Sequence, residues 1–211
     1  MKERVFGFLM FPAFEELDLI GPWEMATMWG AYAGGPRCVT VAAQAGPLRC
    51  AKGLSVAADH GFDDCPALDY LLVPGGFSAF DVMKDAATIE FVRARARQAK
   101  AVLSVCTGSF VLAAAGLLEG RAATTHWKAL AQLAQLPGVT VRQARYVNDG
   151  PVWTSAGVSA GIDLMLAFIA SEDGAETAGA VQFNAEYYPD GVLHGSAHRS
   201  PQAPAYVKAL P

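Results

Sequence analysis

Apolar and polar positions along the 211-residue chain alternate between two rhythms. Val5 to Phe11, Asp69 to Val73 and Lys100 to Val105 are short apolar runs, β-branched and aromatic enough for buried strands. Cys38 to Gln44 alternates as another strand, and Gly46-Pro47 with Lys52-Gly53 marks a hairpin or meander after it. Between these runs, Leu17 to Trp29 and Ala86 to Gln98 have helical spacing. In the second, Ile89, Val92 and Ala96 form the apolar stripe, with Arg93, Arg95 and Arg97 outside. Ser109 to Leu118 and Ala129 to Leu136 are further helices, the latter stopped by Pro137-Gly138. Short strands over Val139 to Val141, Arg145 to Val147 and Val152 to Thr154 lead to helices over Ala160 to Ser171 and Ala175 to Phe183, while Gly191 to Pro211 reads as loop.

Strands alternating with helices predict right-handed crossovers and a mainly parallel sheet with helices on both faces. One domain, 1–211 with its core over about 4–186, accommodates the whole pattern. A chain of this length buries roughly 70% of its unfolded surface, enough for a core without disulfides or a structural metal.

Composition narrows the function classes. Hydrophobic residues make up 53% and charged residues 17%, which excludes disorder. A net charge of −4 without a Lys/Arg run gives no footprint for nucleic acid or an anionic membrane, so the expected partner is a small molecule. No stretch approaches the ~18 to 20 apolar residues of a membrane span. The opening Met-Lys-Glu-Arg before an apolar run imitates a secretory leader, but Pro12, Glu15, Glu16 and Asp18 interrupt it early, so a first strand is expected. Cys38, Cys50, Cys65 and Cys106 are dispersed, which points to reduced thiols in a cytoplasmic protein.

In such sheets ligands bind beyond the carboxyl ends of the strands. That rule selects Pro12 to Pro22, Pro74-Gly75-Gly76-Phe77 and Val105-Cys106-Thr107-Gly108. Cys106 lies on the strand-to-helix turn, the place for a nucleophile elbow, where a helix N-terminus is expected to acidify the thiol. The other three cysteines read as small core hydrophobes. Gly76 and Thr107 N–H groups are candidates for an oxyanion-type hole, against the plainer reading of Pro-Gly-Gly as a turn. Asp18, between Leu17 and Leu19, is the candidate acid because an apolar setting raises a carboxyl pKa, whereas Glu15 and Glu16 read as solvated. His126 is either the base of a Cys–His pair or a structural cap. His194 and His198 lack acidic or thiol partners for zinc. Trp23, Trp29, Phe77 and Phe80 line a pocket or belong to the core.

"FPAFEELDLIGPWE", "LLVPGGF", "SVCTGSFVLAAAGLLEGRAATTHW" and "AGIDLMLAFIA" together resemble the ThiJ/PfpI superfamily (class I glutamine amidotransferase-like), and within it the isocyanide hydratases. The resemblance runs from Val5 to about Glu186 and implies a flavodoxin-like three-layer sandwich, usually a homodimer, with no cofactor and no metal. It implies that Cys106 attacks an isocyanide carbon to form a thioimidate that water resolves to a formamide. It further implies Asp18 as general acid/base, Thr107 as hydrogen-bond partner of thiol or substrate, and Gly75, Gly76 and Phe77 around the substrate. Thr107 stands where peptidase-like members carry histidine, which counts against a peptidase. The same domain also resembles the sensor half of AraC-type regulators. The end at Pro211 and the absence of a basic helix are expected to leave no DNA-binding module, while a ligand- or redox-sensing role for Cys106 stays open.

Overall fold

The computed structural model describes residues 3–209. Six strands form its main sheet: β1 (Val5–Leu9), β2 (Arg37–Val41), β5 (Tyr70–Val73), β6 (Ala101–Val105), β9 (Tyr146–Asp149) and β10 (Val152–Ser155). Their order across the sheet is β2-β1-β5-β6-β10-β9, parallel except for the antiparallel edge pair of β9 and β10. Two small ribbons accompany it, β3 (Gly46–Arg49) with β4 (Ser55–Ala58), and β7 (Ala122–Ala123) with β8 (Thr140–Val141).

Helices α1 (Glu16–Ala33), α6 (Ala160–Asp173) and α7 (Ala175–Asn184) pack together on one face. On the other lie α2 (Ala79–Val82), α3 (Ala86–Ala96) and α4 (Gly108–Ala114), with α4 against β5 and β6. Covered on both faces, β1, β5, β6 and β10 are buried at every residue, which is why they read as continuous apolar runs. The expected α/β sandwich and mainly parallel sheet are present.

Several element bounds differ from the sequence expectation. The helix expected over 109–118 ends at Ala114, because Gly116 takes the left-handed conformation (φ +79°) and closes a Schellman motif. Leu117 N–H donates to Leu112 C=O and Gly116 N–H to Ala113 C=O. The helix expected over 129–136 is a 3₁₀ turn, Trp127–Ala129, followed by α5 (Leu130–Leu133). The segment expected as loop carries a 3₁₀ turn, Ala197–Arg199, and the short helix α8 (Ala205–Lys208).

Candidate active site

Cys106 follows β6 with φ +56°, a left-handed conformation that costs a non-glycine residue roughly 1–3 kcal/mol and persists only where the surroundings enforce it. Here they do. The Cys106 N–H donates to the carbonyls of Ser155 (3.2 Å), the last residue of neighbouring β10, and Ala156 (3.3 Å) just after it. Its own carbonyl accepts from Ser109 Oγ (3.2 Å) and Thr125 Oγ1 (2.8 Å). Backbone and side-chain bonds from three segments thus hold the elbow that turns the sulfur out of the strand.

Asp18 arrives from the first turn of α1 and is fully buried. Its Oδ2 accepts the Gly75 N–H at 3.0 Å, whereas Oδ1 has no hydrogen-bond partner among the described residues. Burial pushes this carboxyl up to about 8; the Gly75 N–H and the adjacent Cys106 thiol oppose that shift only in part. The carboxyl is therefore largely protonated at neutral pH, an acid with a proton to give.

Cys106 differs from the sequence expectation. Burial first, and then the Asp18 charge, push its thiol well above the ordinary cysteine value, with the Thr107 N–H pulling the other way. The seven-residue helix behind it does not offset the loss of solvent. The resting pair is a neutral thiol beside a neutral acid, not a preformed thiolate.

Gly76 also requires a correction. Its N–H does not face an open cavity: it donates to Thr107 Oγ1 at 2.9 Å, and that hydroxyl donates back to the Gly76 carbonyl at 2.7 Å. Thr107 therefore locks the Pro-Gly-Gly turn against the elbow, and a free Gly76 oxyanion donor is absent from this arrangement.

Above the sulfur lies a cavity of about 370 Å³ whose lining includes Cys106, Thr107, Gly76, Phe77, Phe80 and His126. Cys106 is 7% exposed and forms part of this lining. Phe77 is 93% exposed at the cavity, and Phe80 packs on Phe110 (5.0 Å between centroids). Trp23 and Trp29 take no part: Trp23 packs edge-on against Phe8, and Trp29 is buried with its indole N–H on Asp173. Glu15, read from sequence as solvated, lines the cavity and pairs with Lys52. Glu16 accepts the Lys52 backbone N–H.

His126 flanks the sulfur. Burial, followed by the nearby Lys128 charge, keeps it below the ordinary histidine value, and Nδ1 accepts the Lys128 N–H at 3.3 Å. The ring is both a cap and part of the pocket wall. Gly157 escaped sequence reasoning. A Cβ there would lie 2.8 Å from Cys106 Sγ and 2.7 Å from His126 Cδ2, so only glycine leaves room for sulfur and ring together. The residue follows β10, whose pairing with β6 brings it beside Cys106; nothing in the local sequence signals that contact. A larger cleft of about 630 Å³, bordered by Phe11, Gln44, Leu48 and Asp85, contains none of the predicted site residues. No cluster of three metal-ligating side chains occurs among the described residues, and none of their helices is long and apolar enough to cross a membrane.

Residues 4–171 match the DJ-1/PfpI family. The chain belongs to that family. It is 41% identical to the isonitrile hydratase of Pseudomonas putida over 183 residues, 87% of this chain and 78% of that protein. It is 34% identical to the transcriptional regulator CdhR of Pseudomonas aeruginosa over 82% of this chain, which spans about half (52%) of the regulator's length. Among solved structures, a ThiJ/PfpI family protein from Pseudomonas syringae superimposes with a TM-score of 0.86 at 34% identity, covering 99% of this chain and 84% of that one.

Proposed function

We propose that the protein hydrates isocyanides, R–N≡C, to N-substituted formamides, R–NH–CHO. The observation that carries this reading is a fully buried carboxyl, Asp18, with one oxygen unpaired, next to a cysteine, Cys106, that lines the cavity; burial favours the protonated form of that carboxyl. An isocyanide carbon must gain both a proton and a nucleophile, and this pair holds one of each. Similarity to a protein named isonitrile hydratase, isonitrile being another word for isocyanide, supports the substrate class.

In the first step Asp18 gives its proton to the terminal carbon as Sγ bonds to it. The thiol proton passes to the Asp18 carboxylate, so a C–H and a C–S bond form, the S–H bond breaks, and Asp18 ends protonated. The product is the thioimidate R–N=CH–S–Cys106. Water then adds to that carbon while nitrogen takes a proton by way of Asp18. Collapse of the adduct breaks the C–S bond, and the remaining water proton returns to sulfur. The sum is R–N≡C + H₂O → R–NH–CHO. Passing the thiol proton to Asp18 as the C–S bond forms suits a cysteine whose free thiolate is disfavoured by its surroundings.

The regulator relative favours a second reading, a domain that binds a ligand or senses oxidants without turnover. Incubation with one alkyl and one aryl isocyanide, following the formyl proton by NMR, separates the two. Formamide from the wild type and none from Cys106→Ala is expected. Folded wild-type protein that yields no formamide from either compound overturns the hydratase reading in favour of the sensor.

A further inference from the structure

With the Gly76 N–H taken by Thr107 Oγ1, the site lacks the backbone donor expected from the sequence. The proposed hydration nonetheless forms a carbonyl on the carbon that Cys106 holds, and that oxygen gathers negative charge as the C–S bond breaks. His126 is built to meet it. The Thr124 N–H donates to Thr154 Oγ1 on β10 (2.9 Å), and the buried Thr125 hydroxyl donates to the Cys106 carbonyl (2.8 Å), so the residue that follows is tied to β10 and to the elbow itself. The point where a Gly157 Cβ would stand is 2.8 Å from Cys106 Sγ and 2.7 Å from His126 Cδ2, which puts that ring carbon within about 5.5 Å of the sulfur. Nε2 is bonded to Cδ2 and shares this edge of the ring. The tautomer is fixed as well. A backbone N–H can only donate, so Nδ1, which accepts from the Lys128 N–H at 3.3 Å, is the bare nitrogen, and in the neutral ring the proton sits on Nε2. Nε2 has no hydrogen-bond partner among the described residues. Lys128 and Gln132, which also line the cavity, are exposed, whereas His126 is half-buried beside the sulfur.

We infer that His126 is a catalytic hydrogen-bond donor whose Nε2–H binds the oxygen that becomes the formamide carbonyl, a role distinct from that of a base taking the thiol proton. The inference rests on the hydration reading. Water addition to the thioimidate gives R–NH–CH(OH)–S–Cys106. As the C–S bond then breaks, the hydroxyl proton passes to sulfur and the C=O bond forms. His126 lends a hydrogen bond throughout and gives up no proton, so the balance of the reaction is unchanged. Within the span between sulfur and ring, one C–O unit on the sulfur can end in a hydrogen bond of roughly 3 Å to Nε2. Burial and the Lys128 charge keep the ring neutral, which preserves Nδ1 as the acceptor and Nε2–H as the donor.

Two substitutions separate the ring's two nitrogens. His126→Asn keeps an acceptor where Nδ1 caps the Trp127–Ala129 turn and loses the Nε2 donor; Asn is itself a preferred cap, so the fold is retained. His126→Gln keeps an amide N–H near the Nε2 position and loses the cap. With cyclohexyl isocyanide as the probe, formamide release per folded molecule is followed by NMR and the adduct on Cys106 by intact-protein mass spectrometry. His126→Asn is expected to lower kcat roughly 100-fold, as loss of one such donor does, with the adduct accumulating, while His126→Gln stays within about tenfold of wild type. A ring that is only a cap predicts the reverse order. That reverse order, or a gap between the two variants smaller than about tenfold, overturns the inference and leaves the hydration standing. No formamide from the folded wild type overturns the hydration reading, and this inference with it.

Discussion

Two aspartates at opposite ends of the sheet receive opposite treatment. At the end where β1 and β5 begin, Asp173 accepts two bonds from Arg4 (2.6 and 2.9 Å) and one from the Trp29 indole (2.9 Å), and the Arg4 guanidinium stacks over that indole. These hydrogen bonds, Arg4 first, hold its carboxyl below the ordinary aspartate value. At the other end, Asp18 accepts one backbone N–H, and its second oxygen goes unpaired. Burial there wins, and the proton stays on. A carboxyl supplied with donors becomes a fixed anion that ties α6 to α1 and the chain start; one deprived of them becomes a proton source.

The sharpest way to break this contrast is Asp18→Asn, expected to cut hydration at least ~100-fold with the fold retained, measured as formamide release. Wild-type turnover is expected to fall as pH rises through about 8, where Asp18 loses its proton. Stability follows the same group. The folded state binds the Asp18 proton more tightly than the unfolded chain, so wild-type stability falls as pH rises from about 4 to about 8, by up to ~1.4 kcal/mol per pH unit. Asp18→Asn removes that slope, which denaturant titrations at several pH values will read.

Next in size is Gly157→Ala. The new methyl meets Cys106 Sγ and the His126 ring, and displacing the sulfur is expected to lower kcat at least ~10-fold, with overpacking costing about 1–3 kcal/mol. Asp173→Asn is expected to behave as the reverse of the Asp18 variant. Loss of the charge-assisted bonds costs roughly 1–3 kcal/mol at neutral pH while kcat per folded molecule stays near wild type. The Asp173 contribution is present above the unfolded aspartate pKa and disappears as pH falls through its lowered folded value, so the two variants separate most clearly near neutral pH and converge in acid. The smallest effect is Phe77→Ala. That exposed ring holds nothing in the core, so KM is expected to rise roughly two- to fivefold without a change in stability.

Much of the architecture was legible along the chain because each central strand is buried on both faces and so written as an unbroken apolar run. The Ser104-Val105-Cys106-Thr107-Gly108 junction was legible for a related reason: an apolar strand running into small residues marks the elbow without any long-range contact. Asp18 between two leucines was legible as a carboxyl in an apolar setting. The Trp29 indole was not, since pocket and core place the same demand on a large apolar side chain and only its Asp173 bond separates them.

The sequence by itself therefore determined the strand and helix order, the elbow and a carboxyl in an apolar setting at Asp18, because periodicity and immediate neighbours carry those signals. Tertiary structure alone decided that the thiol rests protonated, that the Gly76 N–H is taken by Thr107, and that Gly157 comes to the cysteine from 51 residues away along the chain. The physical reason is that pKa values, hydrogen-bond satisfaction and steric room depend on everything packed around a group, and packing here joins β6 to β10 across a long stretch of chain.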